Sequence, residues 1–290
     1  MEMTPIPSAP EKEAGLPVLT VLTGLACAMP AGWRQAYAEK GFALFEAPED
    51  ARAHEKELLE MTGLLRQGKS CVYVPRGLSE RDRRRAVHAC SGIACRRECV
   101  FFLKAPEELF GETPEIPKEL LRFQPPAHYE GWEEVRLVPE GTGFAFPFAM
   151  TETFDQKNAH HTLFLLDHLR GASRIVQEKA PEKPYLSEAA LFHDVGKVFT
   201  RTFGPEGQAH YYGHENCSSY LFLLDALAAG RLTTQEGRRK ALYTADLIAC
   251  HMRPLTWDSL EKERKRDREK FGEAMYEDLC LLHEGDTGAK

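Results

Sequence analysis

The sequence predicts two domains, a small α/β domain with a parallel sheet followed by an all-α helical bundle. Short apolar runs alternate with helical stretches from Pro17 to about Val138, which is the pattern of a parallel α/β domain. Strand signals disappear after the Gly- and Pro-rich segment 139–147. Eight of the eleven histidines fall in the helical half, between His160 and His283. We therefore expect a loose tail over 1–16, the α/β domain over 17–138, a linker over 139–147 and the helical bundle over 148–290.

Composition and charge narrow the class of protein. The 290 residues are 43% hydrophobic and carry a net charge of -7, which is typical of a soluble globular protein without a broad basic face for duplex nucleic acid. No stretch has the pattern of a secretory signal, and no apolar run approaches the ~18 residues that span a bilayer. We therefore expect a soluble, cytoplasmic protein that has no membrane partner.

The eight cysteines are expected to be reduced thiols, because no secretory signal precedes them. Cys90, Cys95 and Cys99 lie close together, with His88 nearby. Their spacing does not contain the C-x-x-C pairs of common zinc sites. We interpret them as buried or surface thiols, with a zinc site as the alternative.

The first half begins with a buried strand that leads towards a helix, which is where a phosphate-binding loop would stand. We predict strands over 18–23, 70–74 and 98–103, and helices over 31–40, 54–67 and 80–89. The phosphate-binding loop has the pattern G-x-x-x-x-G-K-[ST], whose backbone, lysine and hydroxyl hold phosphate and magnesium. Counting from Gly24, the last three positions are Met29, Pro30 and Ala31. We therefore expect no ATP binding.

Two further stretches resemble small P-loop kinases of the polynucleotide-kinase kind. Residues 78–84 (LSERDRR) resemble their N-L-S-x-x-x-R segment, and 122–126 (RFQPP) with 130–135 (EGWEEV) resemble their closing F-x-x-P and EGF-x-x-V. Val74 stands where an acidic residue is expected, and the arginine-bearing lid is missing. The resemblance implies a degenerate kinase-like domain that serves as a scaffold, presents substrate or forms a homodimer. An unrelated α/β domain is the alternative.

The second half has the periodicity of a helical bundle. We predict helices over 154–171, 187–198, 215–230, 233–252 and 258–284. Thr233 with Glu236, and Asp258 with Glu261, have the spacing of capping boxes at two of the helix starts.

His193 and Asp194 form the most informative pair in this half. They follow the apolar residues 190–192 and precede Gly196 and Lys197. An acidic residue placed there would destabilise a core unless it had a partner. A carboxylate beside an imidazole suits a divalent metal ion that keeps open coordination positions. A buried His–Asp hydrogen bond is the alternative.

The string around His193 and Asp194 resembles the HD superfamily of metal-dependent phosphohydrolases. Its flanking residues resemble a branch similar to the HD domains attached to bacterial tRNA nucleotidyltransferases and related predicted hydrolases. The matching stretches occur in order at 158–168, 191–204 (LFHDVGKVFTRTFG), 210–215 (HYYGHE), 250–254 (CHMRP) and 285–290 (GDTGAK). The resemblance implies six metal ligands, which are His168, His193, Asp194, His214, His251 and Asp286. It also implies one or two divalent ions, of which iron, manganese, nickel, cobalt, zinc and magnesium are candidates.

The resemblance and the chemistry of phosphate esters suggest roles for the remaining polar residues. Asp194 would ligate metal and steer the attacking water, and Lys197 would contact a phosphate oxygen. A solvated lysine at a helix end is the alternative for Lys197, and a helix C-cap is the alternative for His251. Arg201 is assigned a further substrate contact, and His161 and His210 are assigned the role of a general acid or of substrate contacts.

The sequence thus predicts a metal-dependent phosphohydrolase whose catalysis is confined to the helical half. The expected substrate is a small phosphorylated molecule, a nucleotide or an RNA or DNA end, in the form of a phosphomonoester or a 2′,3′-cyclic phosphate. The first alternative is a non-catalytic metal- or nucleotide-binding sensor or scaffold. The second is an active kinase with an accessory helical domain, against which Pro30 argues.

Overall fold

The computed structural model describes residues 15–157, 163–257 and 259–289. The chain forms two compact units. Among the described residues, the first comprises 15–105 together with Pro126–Thr142, and the second comprises Pro106–Pro125 and those from Gly143 onwards. The tail expected over 1–16 lies outside the described residues, apart from Gly15 and Leu16.

A five-stranded, fully parallel sheet forms the centre of the first unit, as the sequence predicts. Its strands are β1 (Val18–Gly24), β2 (Ala43–Glu46), β3 (Cys71–Val74), β4 (Arg96–Lys104) and β5 (Glu134–Glu140). The order is β2-β3-β1-β4-β5. The predicted strands correspond to β1, β3 and β4, whereas the edge strands β2 and β5 were not predicted. Edge strands are only partly covered, so their sequences lack the continuous apolar run of a central strand.

Three helices connect the strands, and local capping explains where two of them begin. They are α1 (Trp33–Glu39), α2 (Ala51–Arg66) and α3 (Glu80–Ala89). The Asp50 carboxylate accepts a hydrogen bond from Ala53 N at 2.8 Å, and Ser79 Oγ accepts one from Asp82 N at 3.3 Å. Each bond satisfies a backbone donor that the first turn of the helix leaves unpaired.

A buried ion pair connects two of the stretches that resemble the kinases. The guanidinium of Arg83, in α3, donates to both carboxylate oxygens of Glu130, at 2.6 and 2.9 Å. Both side chains are fully buried. Trp132 Nε1 also donates to Glu130 at 3.3 Å, and Arg83 donates to Leu78 O at 3.0 Å. These hydrogen bonds offset the large desolvation cost of the pair, so Arg83 and Glu130 have a structural role.

Residues 106–125 belong to the helical unit, although the sequence analysis assigned them to the α/β domain. The ring of Phe123 packs edge-on against Tyr220 at 4.9 Å, and Asn216 Nδ2 donates to Leu121 O at 2.9 Å. The expected linker is also packed in part, because Phe144 N donates to Leu224 O at 3.1 Å. Sequence periodicity does not reveal such contacts, because the partners are about a hundred residues apart or lie in irregular segments.

The second unit is largely helical. Its helices are α4 (Ala149–Glu152), α5 (Leu165–Lys179), α6 (Pro184–Phe192), α7 (Lys197–Thr200), α8 (His214–Ala228), α9 (Gln235–Cys250), α10 (Glu261–Phe271) and α11 (Glu273–Gly288). Helix α5 packs against α6 and α11, and α9 packs against α6 and α8. The unit also contains a short antiparallel hairpin of β6 (Thr202–Phe203) and β7 (Ala209–His210), which was not predicted.

Several helix ends differ from the predictions. Helix α5 begins at Leu165, about ten residues later than expected, and Asp155 forms an antiparallel bridge with Phe164 before it. Thr234, and not Thr233, caps α9 by accepting from Gly237 N at 3.0 Å. The capping role expected for Asp258 lies outside the described residues.

All eight cysteines are free thiols, as the sequence predicts, and the cluster of Cys90, Cys95 and Cys99 is buried in the core of the α/β unit. Across the described ranges, the side-chain groups that could hold a metal ion do not include these cysteines. Within the same ranges, every helix is too short or too polar to cross a membrane.

Candidate metal centre

Six side chains converge in the helical unit, and each comes from a helix or its end. His168 lies in α5, His193 and Asp194 follow the last turn of α6, His214 begins α8, His251 ends α9 and Asp286 lies in α11. All are buried except Asp286, whose side chain is 16% exposed. The structure therefore brings together all six residues that the sequence analysis proposed as metal ligands.

These side chains form two groups that share Asp194. One group contains His168, His193, Asp194 and Asp286, and the other contains Asp194, His214 and His251. Within each group, one ligand atom of every residue lies within 4.8 Å of the others. Each group could therefore hold a metal ion.

The two oxygens of Asp194 face different groups. Oδ2 lies 3.3 Å from His193 Nε2 and 3.5 Å from His168 Nε2. Oδ1 lies 3.0 Å from His214 Nε2 and 3.7 Å from His251 Nε2. Asp286 Oδ1 completes the first group, at 3.2 Å from His168 Nε2. This geometry is that of a carboxylate that could bridge two ions.

Backbone carbonyls fix the orientation of all four imidazoles. Nδ1 of His193, His214 and His251 lies 2.7–2.8 Å from the carbonyl oxygen three residues earlier in the chain. Nδ1 of His168 lies 2.7 Å from Ala289 O. A carbonyl oxygen only accepts, so each Nδ1 carries a proton and, in the neutral ring, each Nε2 presents a lone pair to the centre. Such hydrogen bonds are the usual outer support of metal-ligating histidines.

Hydrogen bonding within the centre is incomplete. The Nε2 atoms of His168 and His193 lie 3.2 Å apart, although both are acceptors in the neutral rings. Among the described side chains, His214 Nε2 is buried without a hydrogen bond. It lies 3.0 Å from Asp194 Oδ1, and both atoms are acceptors when the ring is neutral with its proton on Nδ1. Acceptors that face one another at such distances are the arrangement expected around a cation.

Without a cation, protons compensate for the crowded acceptors. Burial alone would lower the pKa of His193, but the charges and hydrogen bonds of Asp194 and Asp286 outweigh it and raise this pKa to about 10. Burial opposes the ionisation of both carboxyls, yet the neighbouring cationic groups lower the pKa of Asp194 and of Asp286. Burial, followed by the charge of His193, lowers the pKa of His251 to about 3. Together, the six residues therefore stabilise a positive charge at the centre, whether a proton on a histidine or another cation.

Lys197 is buried beside the shared carboxylate, which contradicts the alternative of a solvated lysine. Its Nζ lies 2.5 Å from Asp194 Oδ2 and 2.9 Å from Gln156 Oε1. The same Nζ lies 5.5 Å from the ring centre of Tyr211. Lys197 therefore places a positive charge at the edge of the centre.

The other predicted substrate contacts lie further out. Arg201 is exposed, with its guanidinium 4.3 Å above the ring of Phe154. His210 lies in β7, where its ring stacks on Tyr212 at 5.5 Å. Neither residue belongs to the two ligand groups. His161 lies outside the described residues.

His251 combines the two roles that the sequence left open. It occupies the C-cap position of α9 and donates from Nδ1 to Ile248 O at 2.8 Å. Its Nε2 nevertheless faces Asp194 Oδ1. The capping hydrogen bond therefore orients the ring towards the centre.

Comparison with known proteins does not assign the chain to a family. The chain matches no protein-family model, and no curated protein matches it. The functional interpretation therefore depends on the geometry of the centre and on the motifs that the sequence itself contains.

Sequence reasoning did not identify the residues that support the centre. Gln156 contacts Lys197, the carbonyl of Tyr211 orients His214, and the carbonyl of Ala289 orients His168. Backbone acceptors such as Ala289 O are independent of side-chain type, so no residue pattern indicates them.

Proposed function

We propose that this protein is a metal-dependent phosphohydrolase of the HD type, whose active site is the six-residue centre of the helical unit. The main support is that two ligand groups share the carboxylate of Asp194 and that Lys197 contacts the same carboxylate. A shared carboxylate suits two divalent ions at one phosphate group. The lysine supplies a further positive charge for that phosphate.

The donor set fits transition-metal ions. His168, His193, Asp194 and Asp286 would hold one ion, and Asp194, His214 and His251 would hold the second. Four imidazoles with two carboxylates suit iron, zinc, nickel, cobalt or manganese better than magnesium, which prefers oxygen ligands. When bound, such ions supply a nucleophile at neutral pH and neutralise charge on phosphate oxygens.

The chain's own residues would position the reacting groups. Asp194 would orient the attacking water, because its two oxygens already face both ligand groups. Lys197 would stabilise the negative charge of the phosphate oxygens, since its ammonium is fixed at 2.5 Å from Asp194. Arg201 is exposed and would contact a more distant part of the substrate.

We further propose that the substrate is a nucleotide or an RNA or DNA end bearing a phosphomonoester or a 2′,3′-cyclic phosphate. This choice is supported by the resemblance of the α/β unit to polynucleotide kinases. The α/β unit itself is proposed to be catalytically inactive. Gly24 allows close packing with β4, because a Cβ there would lie 2.6 Å from Phe102 O. Its presence therefore does not require a phosphate ligand.

The decisive experiment combines elemental analysis of purified protein with a phosphatase screen over nucleotides and phosphorylated or cyclic-phosphate oligonucleotide ends. We expect one to two divalent ions per chain in the wild type, as the two ligand groups allow. His193→Ala should lose the metal and at least about 100-fold in activity, because even residues that only orient metal ligands typically contribute 10–100-fold. His283→Ala is the matched control, since His283 is a half-buried histidine of α11 outside both ligand groups.

Three outcomes separate the interpretations. Loss of metal and activity in His193→Ala, with both retained in His283→Ala, supports the proposed function. Metal bound without turnover on any substrate would favour the sensor or scaffold. Failure of the wild type to bind metal even after reconstitution would contradict the proposal.

A further inference from the structure

Gln156 is a buried polar residue that lies between the candidate centre and a short turn preceding α5. Its side chain is fully buried. Oε1 accepts a hydrogen bond from Lys197 Nζ at 2.9 Å, while the same Nζ lies 2.5 Å from Asp194 Oδ2. The amide of Gln156 and the carboxylate of Asp194 therefore both contact the ammonium group.

The backbone of Gln156 is connected to the second ligand group by hydrogen bonds through Tyr211. Tyr211 donates its hydroxyl proton to Gln156 O. The carbonyl of Tyr211 accepts from His214 Nδ1 at 2.7 Å. Gln156 is thus connected to Asp194 through Lys197 and to His214 through Tyr211, so its position is coupled to residues of both groups.

The turn that carries Gln156 has a disfavoured backbone conformation. Lys157 has a φ of 43°, and it is the one described residue other than glycine with a positive φ. The carboxylate of Asp155 accepts from Lys157 N at 2.9 Å, and Ala209 N donates to Lys157 O at 3.3 Å. Such conformations persist only where the surroundings fix them, and they often occur at functional sites.

We propose that Gln156 is a positioning residue that holds the ammonium of Lys197 at the shared carboxylate; this inference rests on the proposed function. A glutamine amide accepts a hydrogen bond without adding negative charge. Gln156 therefore adds no second negative charge to the one that Asp194 already places beside Lys197. A carboxylate at the same place would hold the lysine equally well but would compete with the phosphate for its charge.

Two substitutions of Gln156 separate the loss of its hydrogen bond to Lys197 from the effect of a negative charge at this position. Gln156→Leu keeps the approximate volume but removes the acceptor, and Gln156→Glu keeps the acceptor but adds a negative charge. Gln177→Leu is the matched control, because Gln177 is an exposed glutamine of α5. Thermal unfolding should be measured for every variant, and metal content for every metal-loaded variant, so that activities are compared only between folded proteins with wild-type metal content.

The first readout is independent of activity. In metal-free protein labelled with ¹⁵N-lysine, an ammonium held by hydrogen bonds gives a detectable Nζ resonance, which for Lys197 is assigned by its absence from Lys197→Met. We expect this resonance to be lost in Gln156→Leu and to be retained in Gln156→Glu and Gln177→Leu.

The second readout is phosphatase activity of the metal-loaded variants. We expect Gln156→Leu to lower kcat/KM about ten-fold, in line with the loss of a hydrogen bond to a charged group. Gln156→Glu should raise the concentration of inorganic phosphate needed for half-maximal inhibition. Gln156→Leu combined with Lys197→Met should be no less active than Lys197→Met alone, whereas a merely structural role would add a further loss.

The outcomes distinguish this inference from the proposed function. If the wild type is active and Gln156→Leu keeps both the Lys197 resonance and the activity, the positioning role is wrong. If the double variant is clearly less active than Lys197→Met, Gln156 acts through the fold and the inference is overturned. If the resonance is lost in Gln156→Leu but the wild type hydrolyses no phosphate ester, the positioning of Lys197 stands and the proposed function alone fails.

Discussion

The protonation of four imidazoles determines what the centre can bind. Each Nδ1 donates to a backbone carbonyl, so the neutral rings direct only lone pairs towards Asp194 and Asp286. A set of acceptors that face one another is stabilised by a metal ion or by protons. Metal binding should therefore displace protons, and metal affinity should rise with pH across the neutral range.

The metal-free protein is predicted to lose stability as the pH rises from about 6.5 to about 10. The pKa of His193 is raised from 6.5 to about 10 in the folded protein. A raised pKa contributes stability that is fully present below the unfolded value and is lost as pH rises through the folded value. Urea unfolding at a series of pH values, with a chelator present, measures the effect, which should be on the order of a few kcal/mol.

The control for this pH dependence is His193→Gln, which lacks the titrating group. The alkaline loss should be smaller in that variant, where the raised pKa of His168 still contributes. It should also be smaller in metal-saturated wild type, because metal replaces the proton. An equal loss in the wild type and in His193→Gln would show that other groups cause it.

Most residues of the centre were predictable at this scale. The ligand set was implied by the resemblance of short local strings, such as HDVGK and HYYGH, to a known family. Gln156 was not predictable, because it lies in a stretch whose pattern indicated a helix and its role depends on contact with Lys197, 41 residues later.

At the scale of elements, close packing of α7 and α8 places His214 in the centre. Gly196 precedes α7, and a Cβ on it would lie 2.3 Å from His214 O and 2.8 Å from Ser218 N. Gly196 N also donates to Ser218 Oγ at 2.8 Å. The glycine in the HDVGK string thus allows the approach of α8.

Gly196→Ala is predicted to destabilise the helical unit and weaken metal binding. The added methyl group must displace the backbone of α8, which typically costs about 1–3 kcal/mol in a packed core. The displacement moves His214 away from Asp194. Urea unfolding and metal titration test this expectation.

Gly63→Ala is the matched control for that substitution. Gly63 lies inside α2, and a Cβ there would meet nothing within 4 Å. Alanine should therefore stabilise α2 by about 0.5–1 kcal/mol without changing metal affinity. A wild-type metal affinity in Gly196→Ala would contradict the role of this close approach.

The type of most elements followed from periodicity, whereas several boundaries did not. β1 is buried from Val18 to Thr23, as the buried strand predicted over 18–23 requires. No periodicity in the sequence indicates that α5 begins as late as Leu165. The residues before it form the bridge of Asp155 with Phe164 instead of a helical turn. Pairing between segments overrides local helical propensity there.

At the scale of the whole molecule, all six candidate ligands belong to one of the two compact units. The α/β unit has its own core, built around a parallel sheet and including the buried pair of Arg83 and Glu130. The binding free energy of a metal ion should therefore contribute to the stability of the helical unit alone.

Calorimetry of the full chain is predicted to show two unfolding transitions, of which a chelator lowers only one. A metal present at 100 times its dissociation constant stabilises the unit that binds it by about 2.7 kcal/mol. In His193→Ala, the same transition should be insensitive to metal. A single transition, or an equal shift of both, would contradict the separate contribution of the two units.

The sequence by itself determined the classes of the two units, because apolar periodicity is a local property. It also indicated the types and order of the candidate metal ligands, through the resemblance of short motifs to a known family. Only the tertiary structure decided that these ligands converge, that Asp194 faces two groups and that residues 106–125 join the helical unit. The physical reason is that the ligands come from five separate parts of the helical unit. Their distances depend on helix packing and on backbone acceptors such as Ala289 O, which no local pattern encodes.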